Sequence, residues 1–284
     1  MRLATAARLL ALGLAYGLLV GPQLLALRFA LPVRNWIPLA FHRVFLWLFQ
    51  VRVVERGGPP QPGTSTLVLA NHVSWLDIPV IGSLCPLSFI AKSEIAEWPA
   101  AGILAKLQRS VFIDRARKKA TAEVNAQIAH RLAEGETIVL FAEGTTGDGN
   151  RMLPFRSSLV GAARAALADP DVAQIYLQPL ATAYTGRNGL PVTRRERPAI
   201  AWYGDMDLAP HLKLFASGGP LDAVVTWGEP VLFEGDRKHA TAAAEAAVRD
   251  AIASLRAADL RGKAGKPYAR RSRLSLWRRI QAEA

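Results

Sequence analysis

The sequence predicts an α/β domain: a mostly parallel, mixed sheet flanked by helices, preceded by a membrane helix or helical hairpin. Three observations predict it. Short β-branched or apolar runs alternate with helix-like stretches through the middle of the chain, the pattern of parallel strands joined by crossover helices. The chain has 284 residues, 51% hydrophobic and 20% charged, which suits a large core and excludes a disordered chain. The first 50 residues are set apart by two long apolar segments, and no internal repeat follows them.

Leu9 to Leu27 is apolar except for Gln23, with Arg2 and Arg8 before it and Arg28 after it. Roughly 20 residues cross a bilayer core, so this run is just long enough. Trp36 to Phe49 follows after Pro32, and its Trp36, Phe41, Phe45, Trp47 and Phe49 suit the headgroup boundary. A cleaved signal peptide fits poorly, because the run is long and no small-x-small site follows it. A single spanning helix and a hairpin dipping into one leaflet both fit. Basic residues on both flanks leave the positive-inside rule unable to choose. The expected division is a membrane-anchoring segment over 1–56, the α/β domain over 57–260 and a basic tail over 261–284. Gly57–Gly63 is the turn-rich linker.

Within the domain, strands are expected at Thr66–Ala70, Leu87–Ala91, Val111–Asp114, Thr137–Ala142, Ile175–Ala183, Pro198–Trp202 and Ala223–Thr226. Helices are expected over Thr121–Ala133, which stops at Gly135, and over the Ala-rich stretches Ser158–Ala168 and Ala240–Ala257. The net charge is +12, and the tail carries eight basic residues against Glu283 alone. Leu274, Leu276, Trp277 and Ile280 interleave with those cations, which suits an anionic membrane surface or a solvated tail. No nucleic-acid motif accompanies them. Cys85 is the one cysteine, so an intramolecular disulfide framework and a Cys-rich zinc site are excluded.

Asn71-His72-Val73-Ser74-Trp75-Leu76-Asp77 directly follows an expected strand, where open α/β sheets place their sites. If Ser74 caps a helix, Asp77 in its first turn reaches back to one imidazole nitrogen of His72. That pairing leaves the other nitrogen free to deprotonate an alcohol. The competing reading is that His72 ends a turn and Asp77 caps the helix. Phe112-Ile113-Asp114-Arg115 ends another strand, and with Arg117, Lys118 and Lys119 it is either a phosphate site or a solvated charge run. Glu143-Gly144-Thr145-Thr146-Gly147-Asp148-Gly149-Asn150 ends a third strand. Its glycines let backbone approach a ligand closely, although Gly-Asp-Gly-Asn is also ordinary turn chemistry. Glu143 is a candidate anchor for this loop or for a polar substrate group, and Arg156 beyond it offers a further cation.

Taken in order, these segments resemble the glycerolipid acyltransferase family, typified by 1-acylglycerol-3-phosphate acyltransferases. The Asn-His-x4-Asp block matches Asn71, His72 and Asp77, and Phe-Ile-Asp-Arg matches Phe112 to Arg115. Phe-Pro-Glu-Gly-Thr-Arg matches at Phe141, Glu143, Gly144 and Thr145. Leu177-Gln178-Pro179-Leu180 resembles a fourth block, Ala-Lys-x-Glu matches Ala91, Lys92 and Glu94, and Gly-Glu-Pro matches Gly228 to Pro230. The likeness covers roughly residues 40–235. Two departures stand out: Ala142 replaces the family's Pro, and Thr146 replaces an Arg that helps to bind the acceptor's phosphate. Lys92, Arg115 and Arg156 are candidates to compensate. The Thr-Thr-Gly-Asp-Gly-Asn form also resembles the branch that acylates lyso-ornithine lipid, an acceptor without phosphate.

The resemblance implies an O-acyltransferase. His72 takes the proton of a lysolipid hydroxyl, Asp77 holds His72, and the oxygen attacks an acyl thioester of acyl carrier protein or coenzyme A. Asn71, Lys92, Arg115, Glu143, Gly144, Thr145, Thr146 and Arg156 are the expected substrate-binding residues. The leading acceptor is 1-acylglycerol-3-phosphate, giving phosphatidic acid, with lyso-ornithine lipid as the alternative. No metal and no cofactor beyond the acyl thioester are expected, and the partners are membrane lipids and the acyl carrier rather than nucleic acid. The domain is expected at the cytoplasmic face of a membrane. A hydrolase using the same pair on water is the competing activity, told apart by a free-acid product.

Overall fold

The computed structural model of the chain describes residues 3–113, 118–167, 172 and 174–260. Arg115 and the basic tail over 261–284 therefore lie outside the described residues. The N-terminal run folds as helix α1 (Leu3–Arg28), and a short 3-10 turn leads into α2 (Trp36–Leu48), which packs beside it. Thr5–Arg28 is long and apolar enough to cross a membrane by length and composition. Leu10, Leu14, Leu18 and Leu25 project from α1 exposed, while Thr5, Gln23 and Ala26 are buried against the protein. The one polar break in the run thus has a structural role. Gln23 Nε2 donates to the carbonyls of Arg34 (2.9 Å) and Leu107 (2.7 Å), closing the turn after α1 onto the domain.

The remaining strands are β1 (Val51–Arg56), β2 (Thr66–Ala70), β3 (Ser88–Lys92), β4 (Val111–Ile113), β5 (Thr137–Phe141), β6 (Tyr176–Arg187), β7 (Leu190–Pro191), β8 (Leu221–Trp227) and β9 (Val231–Leu232). The remaining helices are α3 (Asp77–Gly82), α4 (Ala101–Leu107), α5 (Lys118–Ala133), α6 (Gly161–Ala166), α7 (Arg197–Ile200), α8 (Leu208–Ala216) and α9 (Arg237–Leu260). The sheet order is β1-β8-β6-β2-β5-β3-β4, with β7 and β9 pairing to β6. The neighbours from β6 through β2, β5 and β3 to β4 run parallel, and β8 lies antiparallel to β6. This is the mixed α/β sheet that the sequence predicts.

Two differences from the expected elements have physical causes. Residues 51–56 form the edge strand β1, parallel to β8, so they belong to the sheet and not to the anchoring segment. Their Val-Arg-Val-Val-Glu-Arg sequence mixes apolar and charged residues, half of them exposed, and carries no long apolar run to mark it. Pro198–Trp202, expected as a strand, begins instead in the short helix α7. Proline lacks an N–H and fits the first turn of a helix, where none is needed.

Strands β2 and β5 are buried on both faces, and the two-residue period sorts them into two core layers. Leu67, Leu69, Ile138 and Leu140 face α5, α6 and α9 through Ile128, Ala163 and Val248. Val68, Ala70, Val139 and Phe141 face α2, α3 and α8 through Phe45, Val80 and Ala216. Phe45 of α2 lies edge-on to Trp75 (6.0 Å between centroids), so the helix pair packs onto the segment that follows β2.

Candidate active site

The site is built at the C-terminal ends of β2 and β5. Asn71 ends β2 as a side-chain continuation of the ladder. Its Oδ1 accepts from Thr182 N (2.8 Å) and its Nδ2 donates to Thr182 O (3.0 Å). Buried and engaged in this way, Asn71 holds β2 to β6 and delivers His72 just past the sheet edge.

His72 Nδ1 lies 2.8 Å from Asp77 Oδ2. The helix α3 begins at Asp77 itself, and Ser74 is not its cap. The carboxylate supplies the turn instead, since Oδ2 also accepts from Val73 N (2.7 Å) and Ser74 N (3.0 Å). Its Oδ1 accepts from Tyr184 Oη at 2.6 Å. Asp77 is wholly buried, and a buried carboxylate is tolerable only with such a complement of donors. Burial, reinforced by the charge of Asp77, raises the Tyr184 phenol well above its ordinary range, so it stays a donor. With a carboxylate as partner, Nδ1 carries the hydrogen and Nε2 keeps its lone pair. Nε2 has no hydrogen-bond partner among the described residues. The imidazole lies flat on the Phe141 ring, 3.8 Å between centroids and 12° from parallel. One hydrogen bond and a stacking surface therefore fix the ring and leave Nε2 unpaired among the described residues.

Glu143 is buried where β5 ends. Its Oε1 accepts from His72 N at 3.4 Å, and Gly147 N donates to His72 O at 2.9 Å. The glycine-rich loop thus grips both sides of the His72 backbone. Oε2 of Glu143 has no partner among the described residues. Burial pushes this carboxyl up to about 8, outweighing the His72 and Leu153 N–H groups that pull it down. Gly144, at φ 76°, makes the turn that sends the loop back, a conformation suited to glycine. The far end of the loop is held by Arg256 of α9, which donates to Gly149 O and Asn150 O, each at 2.8 Å.

A pocket opens beside this machinery, about 580 Å³ counting the solvent at its mouth, lined by Asn71, His72, Glu143, Arg151, Arg197 and Arg256 among others. Met152, Ile200, Ile252 and Leu255 give it an apolar wall. Of the expected residues, Asn71, His72, Asp77, Glu143 and Gly144 come together here. Lys92 at the end of β3, Thr145 and Arg156 are exposed, Thr146 is half-buried, and none of these four lines the pocket. The cations that line it are Arg151, Arg197 and Arg256, which no motif marks. Tyr184 carried no signal either, except that it shares the parity of Leu180 along β6 and so faces the same layer.

Comparison with known proteins follows the same lines. A family model described as Acyltransferase matches residues 51–183. The chain is 44% identical over 220 residues to the lyso-ornithine lipid O-acyltransferase of Brucella abortus, covering 77% of this chain and 82% of that one. It is 43% identical over 212 residues to the lyso-ornithine lipid O-acyltransferase of Rhizobium meliloti, covering 75% and 72%. The crystal structure of the 1-acyl-sn-glycerophosphate acyltransferase of Thermotoga maritima is similar at a TM-score of 0.60 and 20% identity, covering 90% of this chain and 95% of that one. That last likeness is one of fold.

Proposed function

The chain belongs to the acyltransferase family, and from that premise we propose that it transfers a fatty acyl group to the hydroxyl of lyso-ornithine lipid. The observation that carries this acceptor is the 44% identity to the Brucella abortus protein over most of both chains. Thr146, where the resemblance to phosphate-binding members would put Arg, agrees with it. On this reading 1-acylglycerol-3-phosphate, the leading acceptor from motif likeness, gives way to the alternative.

The geometry fits the chemistry. His72 Nε2 takes the proton of the acceptor hydroxyl, and Asp77 stabilises the imidazolium that results. The oxygen attacks the carbonyl carbon of an acyl thioester, of acyl carrier protein or coenzyme A, and a tetrahedral oxyanion forms. Its C–S bond then breaks, and the departing sulfur takes the proton from His72. Fixing the imidazole beforehand by Asp77 and Phe141 spares the reaction the cost of orienting it. The acceptor stays in its bilayer, and α1, with its exposed leucines, anchors the domain beside it. Both donor carriers are soluble in the cytosol, which supports a position at the cytoplasmic face.

The test is acyl transfer by the purified full chain in detergent, with a labelled acyl thioester and either lyso-ornithine lipid or lysophosphatidic acid. Faster formation of acylated ornithine lipid is expected. Faster transfer to lysophosphatidic acid, or release of free fatty acid as the main product, overturns the reading.

A further inference from the structure

Three guanidinium groups line the pocket beside His72, and they differ in burial and engagement. Arg256 is engaged with the carbonyls of Gly149 and Asn150. Arg151 is exposed to solvent and lies near Asp148. Arg197 is half-buried, and its side chain has no hydrogen bond or ion pair with any described residue. Like charges gathered at a partly desolvated wall repel each other unless an anion joins them. Burial, and then the charge of Arg197, lowers the pKa of Arg256, so the two guanidinium groups feel each other. Glu143, the one acid among the described residues lining this pocket, is pushed by burial toward its neutral form and offers Arg197 little compensating charge.

The placement of Arg197 is also fixed. It opens α7, its N–H bonding to Thr193 O at 3.2 Å, and the strap beyond is tied to the catalytic segment by Trp202 N to Val73 O at 3.0 Å. A Cβ on Gly149 would lie 3.3 Å from Arg197 Cβ and 3.4 Å from Val73 Cγ1. Gly149, at φ 75°, therefore lets the glycine-rich loop close against this strap. Arg197 thus sits against the loop that packs on the His72 segment, and it lines the pocket beside His72.

We propose that Arg197 is the acceptor-binding residue of this enzyme, recognising an anionic headgroup group, here the ornithine carboxylate, while His72 takes the proton from the hydroxyl of the same lipid. The proposal rests on the acceptor reading given above. Guanidinium and carboxylate match as a two-point, charge-assisted pair, a geometry that lysine cannot reproduce. A half-buried guanidinium without a partner among the described residues suits a carboxylate of one negative charge. The pocket's apolar wall then receives the first methylenes of the acyl chain.

The experiment compares the full-length wild type, Arg197→Gln and Arg197→Lys in detergent, with lyso-ornithine lipid and with its carboxamide as acceptors. Arg197→Gln is expected to raise KM for lyso-ornithine lipid about tenfold to a hundredfold with kcat little changed, on the scale of one lost charge-assisted pair. The wild type should show a similar KM rise with the carboxamide, and Arg197→Gln should not distinguish the two acceptors. Arg197→Lys should recover part of the affinity, and KM for the acyl thioester should not move. An equal loss with both acceptors, or a raised KM for the thioester, overturns the assignment. If the wild type acylates lysophosphatidic acid and not lyso-ornithine lipid, the acceptor reading fails separately. In that case a raised KM of Arg197→Gln for lysophosphatidic acid upholds the anion site, and an unchanged one overturns it.

Discussion

Glu143→Gln is expected to make the protein more stable, and more so as the pH rises. Buried at the end of β5, the Glu143 carboxyl titrates near 8 in the folded chain against an ordinary value of 4.5. Between those values the folded chain holds a proton that the unfolded chain has released, so stability falls as pH rises. Each pH unit over that interval costs about 1.4 kcal/mol, and the whole interval about 5 kcal/mol at most. Below 4.5 both states are protonated and the penalty is absent; above 8 it is fully present and constant. Glutamine is the shape of the protonated acid. Its oxygen can still accept from His72 N, and its NH2 stands where Oε2 has no partner among the described residues. The difference between the two proteins should therefore grow by about 3–4 kcal/mol between pH 5 and pH 8. Urea unfolding of both in the same detergent, followed by fluorescence of the seven tryptophans, measures it at several pH values. Two stability curves running parallel in pH would falsify the account, because Glu143 would then titrate alike in the folded and unfolded chains.

Two further outcomes are expected. His72→Ala should lower acyl transfer by at least about a hundredfold, the usual range for a lost general base, and, because it also removes a donor from buried Asp77, lower the thermal melt as Tyr184→Phe does; near-normal turnover would refute its role. Tyr184→Phe removes one donor from buried Asp77 and should cost about 1.5–3 kcal/mol of stability and reduce kcat without altering KM, so full kcat would show that Asp77 holds His72 without it.

The parts of the site that could be read from the sequence are those that chain proximity brings together. His72 and Asp77 are five residues apart, and a single turn after β2 suffices to join them. Glu143 was visible because it directly follows a strand whose neighbour in the sheet is β2. What local pattern does not carry is the contribution of distant elements. Tyr184 reaches Asp77 across 107 residues through the β6–β2 pairing, and Arg256 comes from a helix read only as Ala-rich. The cations show the same limit from the other side. Lys92 is expected in the site from the Ala-Lys-x-Glu likeness and Arg156 as a cation beyond the glycine-rich loop, yet both are exposed. A charge near a strand end carries no direction, because long cationic side chains keep their heads in water wherever they can. The edge strand β1 falls within the expected anchoring segment for a related reason, since a half-exposed stretch with Arg and Glu shows no clear strand pattern until its partner β8 is known.

The aromatic residues connect the anchor to the chemistry. Trp75 stands between His72 and Asp77 in sequence, and it points away from the pocket toward α2 and α8. Its ring lies edge-on to Phe45 and, at 5.2 Å, to Phe215, while its Nε1 donates to His211 Nδ1 at 3.0 Å. Phe49 packs on the same Phe215 ring at 5.5 Å. The segment carrying the base is therefore packed into the helix pair on one side and gripped by the Glu143–Gly147 loop on the other. Close-packed aromatic contacts deform little, so the position of His72 is set relative to α1 and α2 as firmly as relative to the sheet. For an acceptor whose alkyl chains stay in the bilayer, that coupling matters. On the proposed reading, in which α1 is the anchor, its depth sets the height of the imidazole and so which hydroxyl along the lipid it can reach.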